Sequence, residues 1–480
     1  MNCATTGLRP YVPGAAVPWT NARAVHLYRR MAFGAGALQI EADLDADPVS
    51  VVAREVDRAL ARPLTPEPDF AFKTRAEYAG DLSLLQSTLE SDGYARDWIL
   101  EMQTGGLRER MAWFWHNHFV TQFNTHESSS YTWQYHRLLQ EYALGNFREF
   151  VRRMGLTPAM LVFLNGSENF ADSPNENYAR ELYELFTLGD DNGYTQQDIV
   201  ETARALTGYT NVTEEWGPIE FDPSTFDDGE KTIFGRTGNW GYDDVIDLLF
   251  EERGNQVARF IADKIYRRFV NPTVNTDFVD ELAAIFLESN FDLATLMRTL
   301  YSSEHFYDAA NLSTIIEGPL EHLLITYNEV GIEINGLSVF AVWAAAGEQG
   351  QKIFEPVDVA GWPGNRSWIN TTSIVARQRI VEENLGSHTL FGFGILGETA
   401  RAITSETEDV DIIFRDIVHH FVPRGLQFER DYEAALTSFK GEIPPQYFDN
   451  GIWTIDYWAL PIQLVGLLTF LNGLPEFQLK

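Results

Sequence analysis

The 480-residue chain holds one cysteine, Cys3. A disulfide framework, a thiolate zinc site and an iron–sulfur centre each need several, so all three are excluded. Basic residues are scarce: 36 Lys and Arg stand against 69 Asp and Glu, a formal net charge of −33 at pH 7. Nucleic-acid binders neutralise phosphates with clustered Lys and Arg, so no nucleic-acid partner is expected. Long apolar runs are also missing. The most apolar late stretch, 458–471, contains Pro461, Gln463 and Gly466 and falls short of the ~20 residues that span a bilayer. It reads as a buried helix, and no membrane span is expected. The opening Met1-Asn2-Cys3-Ala4-Thr5-Thr6-Gly7 has neither a basic nor an apolar segment. No secretory signal is visible, which makes a cytoplasmic location the expectation. Cys3 reads as a free surface thiol.

What is present is an ordinary apolar content, 45% hydrophobic with 12 Trp. That is enough for a large core and rules out an acidic disordered chain. Helical periodicity dominates, so the expected fold is mainly α, a multi-helical globular protein. Asp47-Pro48 ahead of Val51, Val52, Val56 and Leu60 sets Asp at an N-cap and Pro at the first helical position. The same kind of pattern predicts helices over 107–115, 131–142, 177–188, 243–250, 257–269, 277–287, 293–300, 319–330, 372–383, 410–421 and 432–439. Thr195 to Asp198 resembles a capping box, with Asp in place of Glu or Gln, opening a helix to about Leu206.

Two stretches break the pattern. Residues 208–242 are rich in Gly, Asp, Thr and aromatics, with β-type runs such as Thr232-Ile233-Phe234. They read as an ordered irregular excursion with one hairpin. Residues 354–370 contain Gly361-Trp362-Pro363-Gly364 and Trp368. Long irregular segments inside compact proteins are commonly functional. No linker divides the chain, so 18–475 reads as one helical domain after an extension at 1–17. Lys264 to Pro272 and Asp416 to Pro423 echo each other as helix ends stopped by proline, a common way to terminate a helix.

Chemistry concentrates in two places. Trp113-Phe114-Trp115-His116-Asn117-His118-Phe119 sets two imidazoles among aromatics. Residues two apart point to opposite sides of a regular helix, so either the helix ends here or one His faces a site; two hydrogen-bonded core histidines are the alternative. In Asn175-Glu176-Asn177-Tyr178-Ala179-Arg180-Glu181-Leu182-Tyr183-Glu184-Leu185, the residues Asn177, Glu181 and Glu184 share a helix face, and Asp198, Glu201 and Arg204 repeat the arrangement downstream. Such stripes are a solvated surface unless the two helices pack them into a buried Glu–Arg network, which would mark a functional site. No H-E-x-x-H, E-x-x-H, G-x-S-x-G or Walker A motif occurs. Gly392 to Gly397 fits G-x-G-x-x-G by letters, without a predicted strand before it.

Taken in order, Phe114-Trp115-His116-Asn117-His118-Phe119, Asn175 to Leu182 and Gly193-Tyr194-Thr195 through Gly208 are similar to the bacterial family called domain of unknown function 1800 (DUF1800). Ala24 to Gly34, Lys231 to Gly235 and Gly361-Trp362-Pro363 also resemble that family, over about residues 18–475. The resemblance implies a large, mostly helical bacterial protein with no established activity. It also implies frequent export, and a neighbouring-gene partner resembling alkaline-phosphatase or sulfatase proteins. Phe226 precedes Asp227 where members often carry His, and Phe186 stands where many carry His. Any ligand set left here would be richer in oxygen.

Two functions stay open. In one, a hydrolase combines His116 or His118 with Glu181 and Glu184, while Arg180, Arg204 and Lys231 supply positive charge. His118, Glu181, Glu184 and Asp227 could then hold a divalent metal, or the histidines could work as acid and base. In the other, which the sequence slightly favours, the chain is a non-catalytic binding or assembly protein. The aromatic-rich segments 216–240 and 354–368 would then recognise a partner protein or a carbohydrate.

Overall fold

The computed structural model describes residues 7–389 and 393–480. Cys3 lies outside the described residues, as does Gly392, the first glycine of the G-x-G-x-x-G match. Gly394 and Gly397 fall inside the helix Phe393–Ile403. Among the described residues the protein is mainly α, with 22 α-helices and two small antiparallel hairpins.

The local signals act as their chemistry requires. Asp47 Oδ2 accepts from Ser50 N at 2.9 Å and opens the helix Pro48–Ala61, a cap worth ~1 kcal/mol. Val51, Val52 and Val56 of that helix are buried, whereas Leu60 is exposed. Thr195 and Asp198 form a reciprocal capping box, with Asp198 Oδ2 accepting from Thr195 N at 2.8 Å, and the helix Gln196–Ala205 follows.

The structure departs from the sequence pattern in several places. Segments 243–250 and 257–269 join into one bent helix, Tyr242–Phe269, kinked at Arg253 (φ −129°, ψ 15°). The polar run between them hid the continuity because it keeps only Gly254 turned inward, against Leu287 and Phe291. The predicted helix 177–188 is α-helical only over Asn177–Glu181 and widens to a π-helix over Leu182–Thr187. Near the C-terminal end, Leu464, Leu467, Leu468 and Leu471 of helix Leu460–Asn472 are buried, but Trp458 precedes that helix and is 71% exposed. Segment 208–242 holds two hairpins rather than one. Asn211–Val212 pairs with Ile219–Glu220, and Lys231–Ile233 pairs with Arg236–Gly238. Segment 354–370 is irregular apart from a 3₁₀ turn at Asn365–Trp368. Helices at Asn21–Met31, Ala37–Leu44, Ser83–Thr104, Phe147–Met154 and Ser338–Glu348 are elements that the sequence pattern did not predict.

Helix Gly106–His116 occupies the centre and is buried from Leu107 to His116. It packs on Asn21–Met31, Pro48–Ala61, Ser83–Thr104 and Ser129–Glu141. Helix Tyr242–Phe269 packs on Thr276–Glu288, on Phe147–Met154 and on the π-helical segment. No helix among the described residues is long and apolar enough to cross a membrane.

Candidate ligand cleft

The central helix ends at His116, so the two imidazoles part. His116 Nε2 accepts from Phe354 N at 3.2 Å, which leaves Nδ1–H to donate to Tyr135 Oη at 2.9 Å. Burial pushes this imidazole down to about 3, so it is a neutral tie between the helix and the irregular segment. His118 turns the other way. Its Nε2–H donates to Phe186 O at 3.0 Å, and its Nδ1 accepts from Lys264 Nζ at 3.0 Å. Burial first, then the Lys264 charge, hold it well below the ordinary histidine value.

Between them, Asn117 clamps the Gly361-Trp362 turn. Its Oδ1 accepts from Trp362 N at 2.7 Å and its Nδ2 donates to Trp362 O at 3.2 Å. Gly361 sits at φ +83°, where a Cβ would lie 2.5 Å from both the backbone oxygen and Oδ1 of Asn117. Only glycine allows that approach.

The π-helical segment explains how the second motif reaches the first. In it Leu188 N reaches back to Tyr183 O at 2.9 Å, and the widened turn leaves carbonyls for other donors. Leu185 O accepts from Lys264 Nζ at 3.2 Å, and Phe186 O accepts from His118. The two motifs therefore meet through the backbone of the second, not through its carboxylates.

Those carboxylates are engaged elsewhere. Arg180 pairs with Glu176 at 3.0 Å and Glu184 at 3.1 Å, and Gln196 closes a half-exposed network across the neighbouring helix. Glu181 is half-buried beside it, its carboxyl raised by burial and then by Glu184. Arg204 pairs with Asp227 at 2.7 Å and Glu201 at 2.8 Å. Glu201 accepts from Thr232 N at 3.1 Å and Asp198 from Phe234 N at 2.7 Å, so this group pins the second hairpin to helix Gln196–Ala205. Lys231 is buried over the Phe226 ring and donates to Asp227 O. His118, Glu181, Glu184 and Asp227 do not come together. No group of three His, Cys, Asp or Glu stands at metal-holding spacing among the described residues.

What the helix end does line is a cleft of about 450 Å³, within the range of small-molecule sites. Trp113, Phe114, Asn117 and His118 form one wall, Trp362 to Asn365 and Trp368 another, and Lys264, Arg267 and Arg268 a third. Among the described residues no acidic side chain lines it. Trp362 lies against Trp113 with ring centroids 5.3 Å apart. The rings of Trp362 and Trp368 line the cleft, while their indole nitrogens are buried from solvent and have no hydrogen-bond acceptor.

Positive charge extends behind the cleft. Arg267 is paired with Asp263 at 2.6 Å, and Arg268 reaches inward to the buried Glu321. Arg110 and Lys480 also pair with Glu321, Lys480 at 2.7 Å. Burial alone would raise that carboxyl, but the three cations hold it well below the usual range. Arg30, Arg377 and the Arg29–Glu329 pair, at 2.6 Å, continue the network to Glu317. It holds six cationic side chains against three carboxylates. The five arginines alone outnumber those carboxylates. Arg110 Nε donates to Arg30 O at 3.2 Å, whereas the two terminal nitrogens of Arg110 and two of the three nitrogens on Arg30 have no aligned hydrogen bond.

The sequence reading passed over Lys264, Arg267 and Arg268, seeing them only as a helix end. Their i, i+3, i+4 spacing puts three cations on one face, a signal that stands out in so acidic a chain. No curated protein and no solved structure matches the chain. The family described as "Protein of unknown function (DUF1800)" matches residues 26–479, nearly its full length, and the chain belongs to that family.

Proposed function

We propose that this DUF1800 protein is a binding protein whose cleft takes a small anionic ligand carrying a ring or other flat apolar face. One observation carries the reading. Among the described residues the cleft is lined by three basic side chains, Lys264, Arg267 and Arg268, and by no carboxylate. Trp113 and Trp362 offer flat surfaces in the same cleft. The hydrolase alternative needs an imidazole with a nitrogen free to move a proton. Both nitrogens of His116 and of His118 are already hydrogen-bonded. An alkaline-phosphatase- or sulfatase-like partner belongs to the same proposal, since anionic esters and their products are the ligands such a cleft would share with it. Co-purification tests that part.

The direct test is calorimetric titration with phenyl phosphate, which combines an oxyanion with a ring, and with phenol as the uncharged control. Phenyl phosphate is expected to bind and phenol not. Arg268→Met and Trp368→Ala are each expected to weaken binding about tenfold, or ~1.4 kcal/mol. Equal binding of phenol, or full retention in both variants, would overturn the reading.

A further inference from the structure

Lys264 stands apart among the cations of the cleft. Arg267 and Arg268 each have a carboxylate partner, whereas Lys264 forms no ion pair among the described residues. Its Nζ meets two acceptors, His118 Nδ1 at 3.0 Å and Leu185 O at 3.2 Å. The first is an acceptor by necessity, because the His118 proton is committed to Phe186 O. The remaining neighbour is the Phe260 ring, whose centroid lies 5.0 Å away.

The acceptor count decides which form of the nitrogen the site suits. An ammonium group has three N–H donors and would leave one without an oxygen or nitrogen acceptor. A neutral amine satisfies both acceptors with its two N–H bonds and keeps its lone pair for the fourth tetrahedral position. Burial brings that form within reach, pushing the Lys264 amine down to about 8, so the nitrogen is cationic at neutral pH and gives up its proton readily. A half-buried lysine amine held by hydrogen bonds on a cleft wall has the arrangement of a carbonyl-directed nucleophile.

The neighbours define the electrophile. Arg267 and Arg268, which line the same wall, are oxyanion donors. A ligand with a carboxylate next to a carbonyl would place its reactive carbon close to the group those donors hold. We infer that Lys264 forms an imine with the carbonyl carbon of a small 2-oxo acid bound in this cleft. The amine lone pair makes the N–C bond, and the carbonyl oxygen departs as water, carrying away the two amine protons. Nothing is oxidised or reduced. His118 does not take a proton in this step. It is a positioning residue that orients the amine through its Nδ1 lone pair.

The inference rests on the anionic-ligand reading, and its test separates the two. The full chain is incubated with pyruvate and cyanoborohydride, which reduces any imine to a stable adduct, and the site is mapped by peptide mass spectrometry. Labelling is expected to concentrate on Lys264, to run about tenfold faster than with propanal, which lacks the carboxylate, and to be suppressed by phenyl phosphate. Lys264→Arg is expected to lose the adduct. His118→Gln is expected to slow it and to shift its pH profile. Should either variant fail to fold, competition on the unmodified chain still decides the matter. Phenyl phosphate binding without preferential labelling of Lys264 would overturn the imine and leave the cleft reading standing. Absence of both would overturn the two together.

Discussion

Gly361 offers the sharpest test of how this cleft is built. Replacing it with Ala adds one methyl group at φ +83°. An L-residue in that region costs ~1–2 kcal/mol. The new Cβ would also stand 2.5 Å from the Asn117 backbone oxygen and from Oδ1. A backbone oxygen cannot swing aside, so the turn must retreat, and the two Asn117–Trp362 hydrogen bonds at 2.7 and 3.2 Å go with it. Each contributes ~0.5–1.5 kcal/mol. The smaller conformational freedom of Ala in the unfolded chain returns ~0.4–1 kcal/mol. The net loss is about 1.5–4 kcal/mol by these terms. Gly235 supplies the control. It has nearly the same φ, +80°, with nothing within 4 Å of an added Cβ, so Gly235→Ala isolates backbone strain and should cost roughly 1 kcal/mol or less. Urea unfolding of both variants at unchanged m-value measures the difference. Because Trp362 carries a cleft wall, Gly361→Ala should also weaken phenyl phosphate binding about tenfold, with Gly235→Ala leaving it unchanged. Equal destabilisation by the two variants would refute the claim that close approach to Asn117, and not mere left-handed backbone, sets the need for glycine.

Two further outcomes follow from buried charge. Glu321→Gln strips the carboxylate from Arg110, Arg268 and Lys480 and should cost about 3–5 kcal/mol in urea unfolding, part of which returns when Arg110→Met is added; a double variant less stable than the single would count against orphaned charge as the cause. His116 and His126 are held at about 3 by burial, against an ordinary 6.5. As pH falls below that ordinary value the unfolded chain takes up protons that the native chain refuses, so stability drops by up to ~1.4 kcal/mol per pH unit for each group, until the native imidazoles protonate near pH 3. Stability that stays flat between about pH 6 and 5 would contradict neutral buried imidazoles.

The mainly helical fold was legible because helix periodicity and capping are local signals. Asp47, Thr195 and Asp198 announce helix starts with side chains that reach backbone N–H groups three residues away. The candidate site was legible in a weaker sense. The three segments that drew notice, around His116, around Arg180 and at Gly361, do converge. The chemistry read from them was different because side-chain type was taken to be the message. Glu181 and Glu184 were visible as letters, whereas the π-helical turn that hands Leu185 O and Phe186 O to Lys264 and His118 has no letter of its own. The hairpin around Thr232-Ile233-Phe234 was announced by its β-type run, but its anchorage was not: Asp198 and Glu201 accept from its backbone N–H groups, a long-range use of residues that read locally as a cap and a solvated stripe.

Net charge and cleft charge point in opposite directions, and distance reconciles them. At physiological salt the screening length is ~8 Å. A surface carboxylate 15 Å from the bound anion in water repels it by ~0.3 kcal/mol before screening, while a cation at 4 Å near a protein surface attracts it by ~4 kcal/mol. Lys264, Arg267 and Arg268 line the cleft itself, with the excess of buried cations around Glu321 behind them. The charge of −33 therefore works against a long polyanion, which would extend beyond the cleft. It does not exclude a small anion that fits wholly inside about 450 Å³. Total charge governs a partner larger than the screening length; for a ligand smaller than that length, the deciding quantity is the set of side chains within a few ångströms.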